Sequence, residues 1–275
     1  METLLLEIGT EEIPAGYIEP ALNALSAILL RKLEEERIEH EEAKIFGTPR
    51  RLSIMVTGVA TKQAPLTTEV TGPPEKAGFD EAGQLTVAGR KFAEKMGIPV
   101  NLIRIKQTGK GSYLCAVKTD PGLESKAVFI KILPQVIAAI PFPKVMKWSD
   151  LDVRFARPVH SILALFGRQI ISFELGNIKS GRHTFGHRFL HSGKIRISHP
   201  EEYVKKLRSA SVLVDIDERK NDIENNIYAI ASKLDGKILQ DNDLLNVVAN
   251  LVEYPVPVAG IFDKGYLEVP DEILI

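Results

Sequence analysis

The chain has 275 residues, of which 44% are apolar and 26% charged, and its 35 basic and 36 acidic side chains leave a formal net charge of -1. That balance excludes wholesale disorder, a polybasic coat for nucleic acid and an acidic tail, and the length suffices for one large or two ordinary domains. The single cysteine, Cys115, excludes an internal disulfide and a thiolate-rich zinc site and fits a reducing compartment.

The opening Met1-Glu-Thr-Leu-Leu-Leu lacks the basic lead of a signal peptide, so none is expected, and no apolar run approaches the roughly 18 residues of a membrane span. Thr3 to Ile8 reads as a buried strand with one interior acid. From Pro14, Ile18, Leu22, Leu25, Leu29 and Leu33 recur at three and four, which predicts a helix to about Glu36. Glu11 and Glu12 stand before it, where acids favour a helix N-terminus. Ala43 to Thr57 is a turn feeding a strand in which Leu52, Ile54 and Val56 alternate. Arg50 and Arg51 at its mouth suit a phosphate or carboxylate, and equally suit surface ion pairs.

Residues 63–83 are rich in Pro, Gly, Thr and acids and read as a long connection. Thr86 caps a predicted helix over Val87 to Met96, ended by Gly97 and Pro99. Leu102 to Gln107 and Tyr113 to Lys118 alternate around Gly109-Lys-Gly111, a hairpin signal; the glycines lack the spacing of a phosphate loop. In the second arm Cys115 reads as a small buried hydrophobe. Glu124 to Ile140 is an amphipathic helix containing Pro134. Val159 to Phe166 and Gln169 to Leu175 bracket Gly167-Arg168 as a second hairpin. A helix from His199 to about Leu207, a strand at Val212 to Asp215 and a charged helix over Asp215 to Leu234 are then expected. In that last helix Ile216, Ile223, Ile227, Ile230 and Ala231 face inward. A short helix carries Leu244, Leu245, Val248 and Leu251, and Tyr254 to Phe262 reads as a strand.

Hairpins interspersed with helices give an α+β or mixed α/β fold, mainly an antiparallel sheet with packed helices. Residues 1–62 form a strand-helix-strand part of the core. Residues 63–140 form an inserted loop, hairpin and helix. Residues 141–275 hold the main sheet and helices and share a domain with 1–62. The apolar last residues suggest a chain cut from something longer.

Chemistry concentrates between Met146 and His191. Trp148 there reads as a core or interface anchor. His183, His187 and His191 recur at four, a spacing that on a helix could hold a metal, but three glycines and the lack of nearby acids or thiols argue against it. Ser161 beside His160, and Ser180 near His183, supply nucleophile and base types without a recognised elbow. Lys179, Arg182, Arg188, Lys194 and Arg196 stand between Leu175 and Pro200 with no acid, interleaved with Phe185 and Phe189. Contact with nucleic acid is one reading, and a strand edge kept basic against pairing is the other.

Five stretches together resemble one family: Leu4-Leu-Leu-Glu-Ile-Gly-Thr-Glu-Glu-Ile-Pro14, Thr48-Pro-Arg-Arg-Leu52, Arg154-Phe-Ala-Arg-Pro-Val-His160, Ser180-Gly-Arg182 with Gly186-His-Arg-Phe189, and Leu251-Val-Glu-Tyr-Pro-Val-Pro257. In this order they resemble the N-terminal part of the bacterial glycyl-tRNA synthetase beta subunit. The resemblance implies a cytoplasmic heterotetramer of two alpha and two beta subunits that joins glycine to tRNA(Gly) using ATP. It puts the adenylate-forming site, with ATP and Mg, on the alpha subunit, leaving no cofactor or catalytic residue here. It also implies a fold like the B3/B4 domain of phenylalanyl-tRNA synthetase beta, and a later anticodon-binding region that this chain lacks. Its tRNA-binding candidates are Arg50, Arg51, Lys147, Arg154, Arg157, Arg182 and Arg188. The alternatives are a module that docks the alpha subunit without touching RNA, and an editing-type hydrolytic domain.

Overall fold

The computed structural model describes residues 1–80, 82–147 and 153–274. Trp148 lies outside the described residues. The opening apolar run forms β1 (Glu2–Thr10), and the repeat after Pro14 forms α1 (Ala15–Glu35), whose stripe from Ile18 to Leu33 is fully buried. β2 (Ala43–Thr48) and β3 (Arg51–Val59) form a hairpin turned by Pro49 and Arg50. Next come β4 (Leu66–Pro74), α2 (Glu75–Gly78), α3 (Val87–Met96), β5 (Arg104–Thr108) and β6 (Gly111–Asp120). α4 (Ser125–Ala138) follows, then the short strands β7 (Met146–Lys147) and β8 (Arg154–Phe155). β9 (Val159–Phe166) leads into β10 (Gln169–Ile170), β11 (Glu174–Leu175), β12 (Ile178–Gly181), β13 (His183–Phe185) and β14 (Lys194–Arg196). The chain continues through α5 (Tyr203–Ser209), α6 (Ile216–Lys233), α7 (Asn242–Ala249) and α8 (Asp271–Leu274).

The main sheet runs β11-β12-β9-β1-β3-β2, with β10 also beside β9; the neighbours are antiparallel except β12 and β9. Side chains alternate across it. Leu4, Leu6 and Ile8 of β1, Leu52, Ile54 and Val56 of β3, and Ile162, Ala164 and Phe166 of β9 form the largest core with α1 and α4. Each large apolar side chain buried there contributes roughly 1.5–3 kcal/mol. Gly47 lets α1 lie close on β2, since a Cβ there would stand 2.7 Å from Leu22 Cδ1. Leu5, Leu163 and Leu165 turn to the opposite face and pack with Phe46, Tyr203, Leu207, Val212 and Val214.

β4-β6-β5 form a separate antiparallel sheet with its own small core of Phe92, Leu114 and Ala116. The chain leaves and returns at one point, where the Gln63 N–H donates to Leu123 O at 2.9 Å and the Leu123 N–H to Gln63 Oε1 at 2.9 Å. The helix expected with this insert packs elsewhere: Val128, Phe129, Ile132 and Leu133 of α4 lie in the large core.

Four expectations from sequence are corrected. Val212 to Val214 is buried, but the stretch to Asp215 forms no strand; its backbone bonds scatter over several elements, from the Val212 N–H to Leu207 O, from the Gly47 N–H to Val214 O and from the Leu213 N–H to Glu253 O. Tyr254 to Phe262 is no strand either, because Pro255 and Pro257 lack ladder donors; Val258 is 85% and Ile261 100% exposed. Gln169 to Leu175 divides, its first two residues pairing with β9 and its last two with β12. Of the five apolar residues expected inward on α6, only Ile223 is fully buried, and Ile227 helps line an open apolar groove with Tyr228, Leu239, Leu245 and Val248. Arg219 of α6 is wholly buried: its Nε donates to Ala249 O at 2.6 Å and its Nη1 to Leu213 O, and burial pulls its pKa down to about 10.

Candidate functional site

The face of the sheet opposite α1 carries buried polar groups at its centre. Alternation turns Glu7 of β1 and Arg51 and Ser53 of β3 to that side, with Glu7 1% and Arg51 4% exposed. Glu7 Oε1 accepts from Thr184 Oγ1 at 2.6 Å, and its Oε2 accepts from Tyr203 Oη at 2.6 Å. Arg51 Nη1 donates to Thr184 Oγ1 at 3.2 Å and to Phe185 O at 2.9 Å, and lies 3.7 Å from Glu7 Oε2. Its Nε and Nη2 donate to Glu253 Oε1 at 3.2 and 3.0 Å, and Thr48 Oγ1 donates to the same oxygen at 2.7 Å. Burial works against the Arg51 charge, but Glu253 and Glu7 outweigh it and hold the guanidinium above its ordinary pKa. Burial and the Glu7 carboxylate push the Tyr203 phenol well up. A buried charge of this kind is tolerable only with such complete pairing.

Above this network the five stretches singled out in sequence converge. The Thr10 N–H donates to Arg50 O at 2.8 Å, the Ile13 N–H to Pro49 O at 2.6 Å and the Glu11 N–H to Pro158 O at 3.0 Å, joining residues 9–14, 48–51 and 154–160. Arg51 reaches the other two through Glu253 and through Phe185, the residue between the two parts of the fourth stretch that precedes Gly186. Gly9 makes room: a Cβ there would stand 2.3 Å from Ser161 Oγ. A cavity of about 50 Å³ opens among Glu7, Thr10, Arg50, His160, Ser161 and Phe185. Arg50 also lines a neighbouring cavity of about 170 Å³ with Glu12, His187, Arg188, Phe189 and Tyr254. Glu11 lies at the rim, its Oε1 3.0 Å from His160 Nε2 and its Oε2 4.0 Å from Arg188 Nη1. Thr10 Oγ1 and Arg50 Nε are buried and make no hydrogen bond among the described residues.

The seven candidate cations take different positions. Arg50 and Arg188 meet at the cavities, and Arg157 reaches the same rim by donating from Nε to Glu12 O at 3.1 Å. Of the partners expected for it, Arg51 takes the carboxylate, and it does so in the interior and not at the surface, its donors consumed by Glu253, Thr184 and Phe185. Lys147 and Arg154 face each other across β7 and β8, both exposed, and line neither cavity. Arg182 donates to Arg168 O at 3.1 Å, beyond the far end of β9 from His160. His183 lies on β13, and His187 and His191 flank the turn at 188–190 beyond it, so the spacing of four does not stack three imidazoles as a helix would. His187 Nδ1 instead accepts from the Phe189 and Leu190 N–H groups at 3.3 and 3.2 Å. Sequence reading missed Glu253, Thr184 and Tyr203; the signal that could have prompted the search was Glu7, an acid inside an otherwise apolar strand.

A family model described as glycyl-tRNA synthetase beta subunit matches residues 4–275. The glycine--tRNA ligase beta subunit of Desulfatibacillum aliphaticivorans is 49% identical over 275 residues, covering 100% of this chain and 40% of that protein. The same subunit of Desulforapulum autotrophicum is 47% identical over 275 residues, again 100% and 40%. That of Myxococcus xanthus is 40% identical over 272 residues, 99% of this chain and 39% of that protein. The chain thus spans about 40% of the length of these relatives.

Proposed function

The chain belongs to the glycyl-tRNA synthetase beta subunit family, and on that premise we propose that it contributes tRNA binding and subunit assembly to the ATP-dependent attachment of glycine to tRNA(Gly). The partner is the alpha subunit, in a cytoplasmic heterotetramer of two alpha and two beta subunits. ATP and Mg act on the alpha side, where the bond is made, and this part of beta supplies contact and shape. The carrying observation is the meeting of all five family stretches around Arg50, with Arg188 and Arg157 on the same rim. Guanidinium forks at such a rim match phosphate oxygens, and Phe185 and Phe189, both exposed, offer faces on which an unpaired base can stack. Arg182, Lys147 and Arg154 extend the basic surface beyond the rim.

Filter binding of tRNA(Gly) to the heterotetramer tests this. Arg50→Ala with Arg188→Ala is expected to weaken affinity and to make the salt dependence shallower by roughly 1–2 in slope, near one for each phosphate no longer neutralised. Unchanged affinity and slope would remove the rim from RNA binding. A second reading, docking of the alpha subunit without RNA contact, is favoured by the apolar groove between α6 and α7 and by the exposed Leu244, Val256, Val258 and Phe262. Co-elution of the chain with the alpha subunit, lost on Leu244→Glu while RNA retention stays, would support that reading.

A further inference from the structure

Two of the three buried side-chain atoms without partners among the described residues, Thr10 Oγ1 and Arg50 Nε, belong to residues lining the same cavity; the third, His40 Nε2, lies elsewhere. Thr10 is 3% exposed, so its hydroxyl has no ready access to bulk solvent. Arg50 has no carboxylate within ion-pair distance among the described residues, unlike Arg51 beside it. Leaving one buried hydroxyl and one buried guanidinium N–H unsatisfied carries a desolvation penalty that native structures seldom accept without a bound water, ion or ligand.

We propose that this cavity is a binding site for one small oxyanion group, a phosphate. Arg50 Nε and the Thr10 hydroxyl donate to it, with the Ser161 hydroxyl on the same wall. Three observations select the chemistry. The cavity of about 50 Å³ has room for a group the size of one phosphate. Arg50 and Arg51 both stand in its wall and disfavour a cation. Glu7 is the only acid among its lining residues, and both its oxygens already accept hydroxyl hydrogens, from Thr184 and Tyr203. A water can accept from either donor but brings no charge to the guanidinium; an oxyanion accepts from both and brings the charge. Gly9 belongs to the design, because any side chain there would push Ser161 Oγ out of the wall.

The phosphate can come from free anion or from an RNA backbone. The site itself rests on geometry, and only the second source rests on the function proposed above. The test is the ³¹P line width of inorganic phosphate titrated with the full subunit, wild type against Thr10→Val and Arg50→Gln, with chloride held at matched ionic strength. Wild type is expected to broaden the resonance, and each variant to bind about 10-fold to 100-fold more weakly, the loss of one hydrogen bond to a charged group. No broadening by wild type overturns the site regardless of how the variants fold. Equal broadening by folded variants, checked by circular dichroism, overturns it as well. If phosphate also displaces tRNA(Gly) and Arg50→Gln weakens tRNA retention, the bound group is a backbone phosphate. If the variants lose phosphate while retaining tRNA normally, the site holds and its ligand is the free anion.

Discussion

β1, β3 and β9 present opposite chemistry on their two faces. Towards α1 and α4 they offer a core of Leu, Ile, Val, Ala and Phe. Towards α5 they offer Glu7, Arg51 and Ser53 among Leu5, Leu163 and Leu165. The first face spreads its stability over many interchangeable contacts and tolerates repacking. The second depends on matched donors and acceptors: Arg51 satisfies two carboxylates, and each of those carboxylates takes hydroxyls from other elements. One strand set thus separates holding the fold from positioning the rim above Arg51, and the two tasks should fail differently.

The largest effect is expected on the polar face. Arg51→Met leaves Glu253 and Glu7 buried without a cation and is expected to lose about 3–5 kcal/mol of unfolding free energy in urea. Adding Glu253→Gln to that variant is expected to recover part of the loss, since it removes one stranded charge. A double variant no better than Arg51→Met would break the assignment of Glu253 to Arg51. On the apolar face Leu25→Ala is expected to lose about 2–5 kcal/mol through a cavity beneath α1. Combined with Glu253→Gln its cost should simply add, because the two sites share no partner; strong coupling would mean that the faces are not separate.

The smallest effect is that of a charged pair left in water. Glu69 Oε1 accepts from Cys115 Sγ at 2.8 Å and its Oε2 from Lys106 Nζ at 2.5 Å, and these bonds, Cys115 first, hold its carboxyl below the ordinary range. A lowered folded pKa means stability that is present above the ordinary carboxylate value and lost as the pH falls through the lowered one. Glu69→Gln should therefore flatten only that acidic part of the profile, read as amide exchange across β4 and β6. An identical acidic profile in the variant would show that the exposed pair contributes nothing.

Much of the apolar face was legible because it rests on local periodicity. The repeat from Ile18 to Leu33 gave α1, and alternation at Leu52, Ile54 and Val56 gave β3. The helix over Val87 to Met96 was readable from its cap, where Thr86 Oγ1 accepts from the Gly89 N–H at 3.3 Å. The polar face was not legible, because a buried charge has no local pattern: Glu7 shows only as an anomaly until residue 253 is known to lie beside Arg51. For the same reason Arg50 and Arg51 looked equivalent. A single residue's step from the turn into the strand turns one towards the cavity and consumes the other in the interior. The misread stretches at 212–215 and 254–262 have strand composition without a partner edge, and pairing is a property of the whole fold.

The link between Arg51 and Glu253 spans 202 residues of chain. At about 5–20 residues added per second, Arg51 leaves the ribosome roughly 10–40 s before its partner does. During that interval α1 can dock on the hairpin of β2 and β3 from sequence already synthesised, whereas the opposite side of the hairpin holds an arginine awaiting a carboxylate. Glu253 is thus a late-arriving latch, and the rim around Arg50 becomes complete only in a chain whose synthesis has passed it.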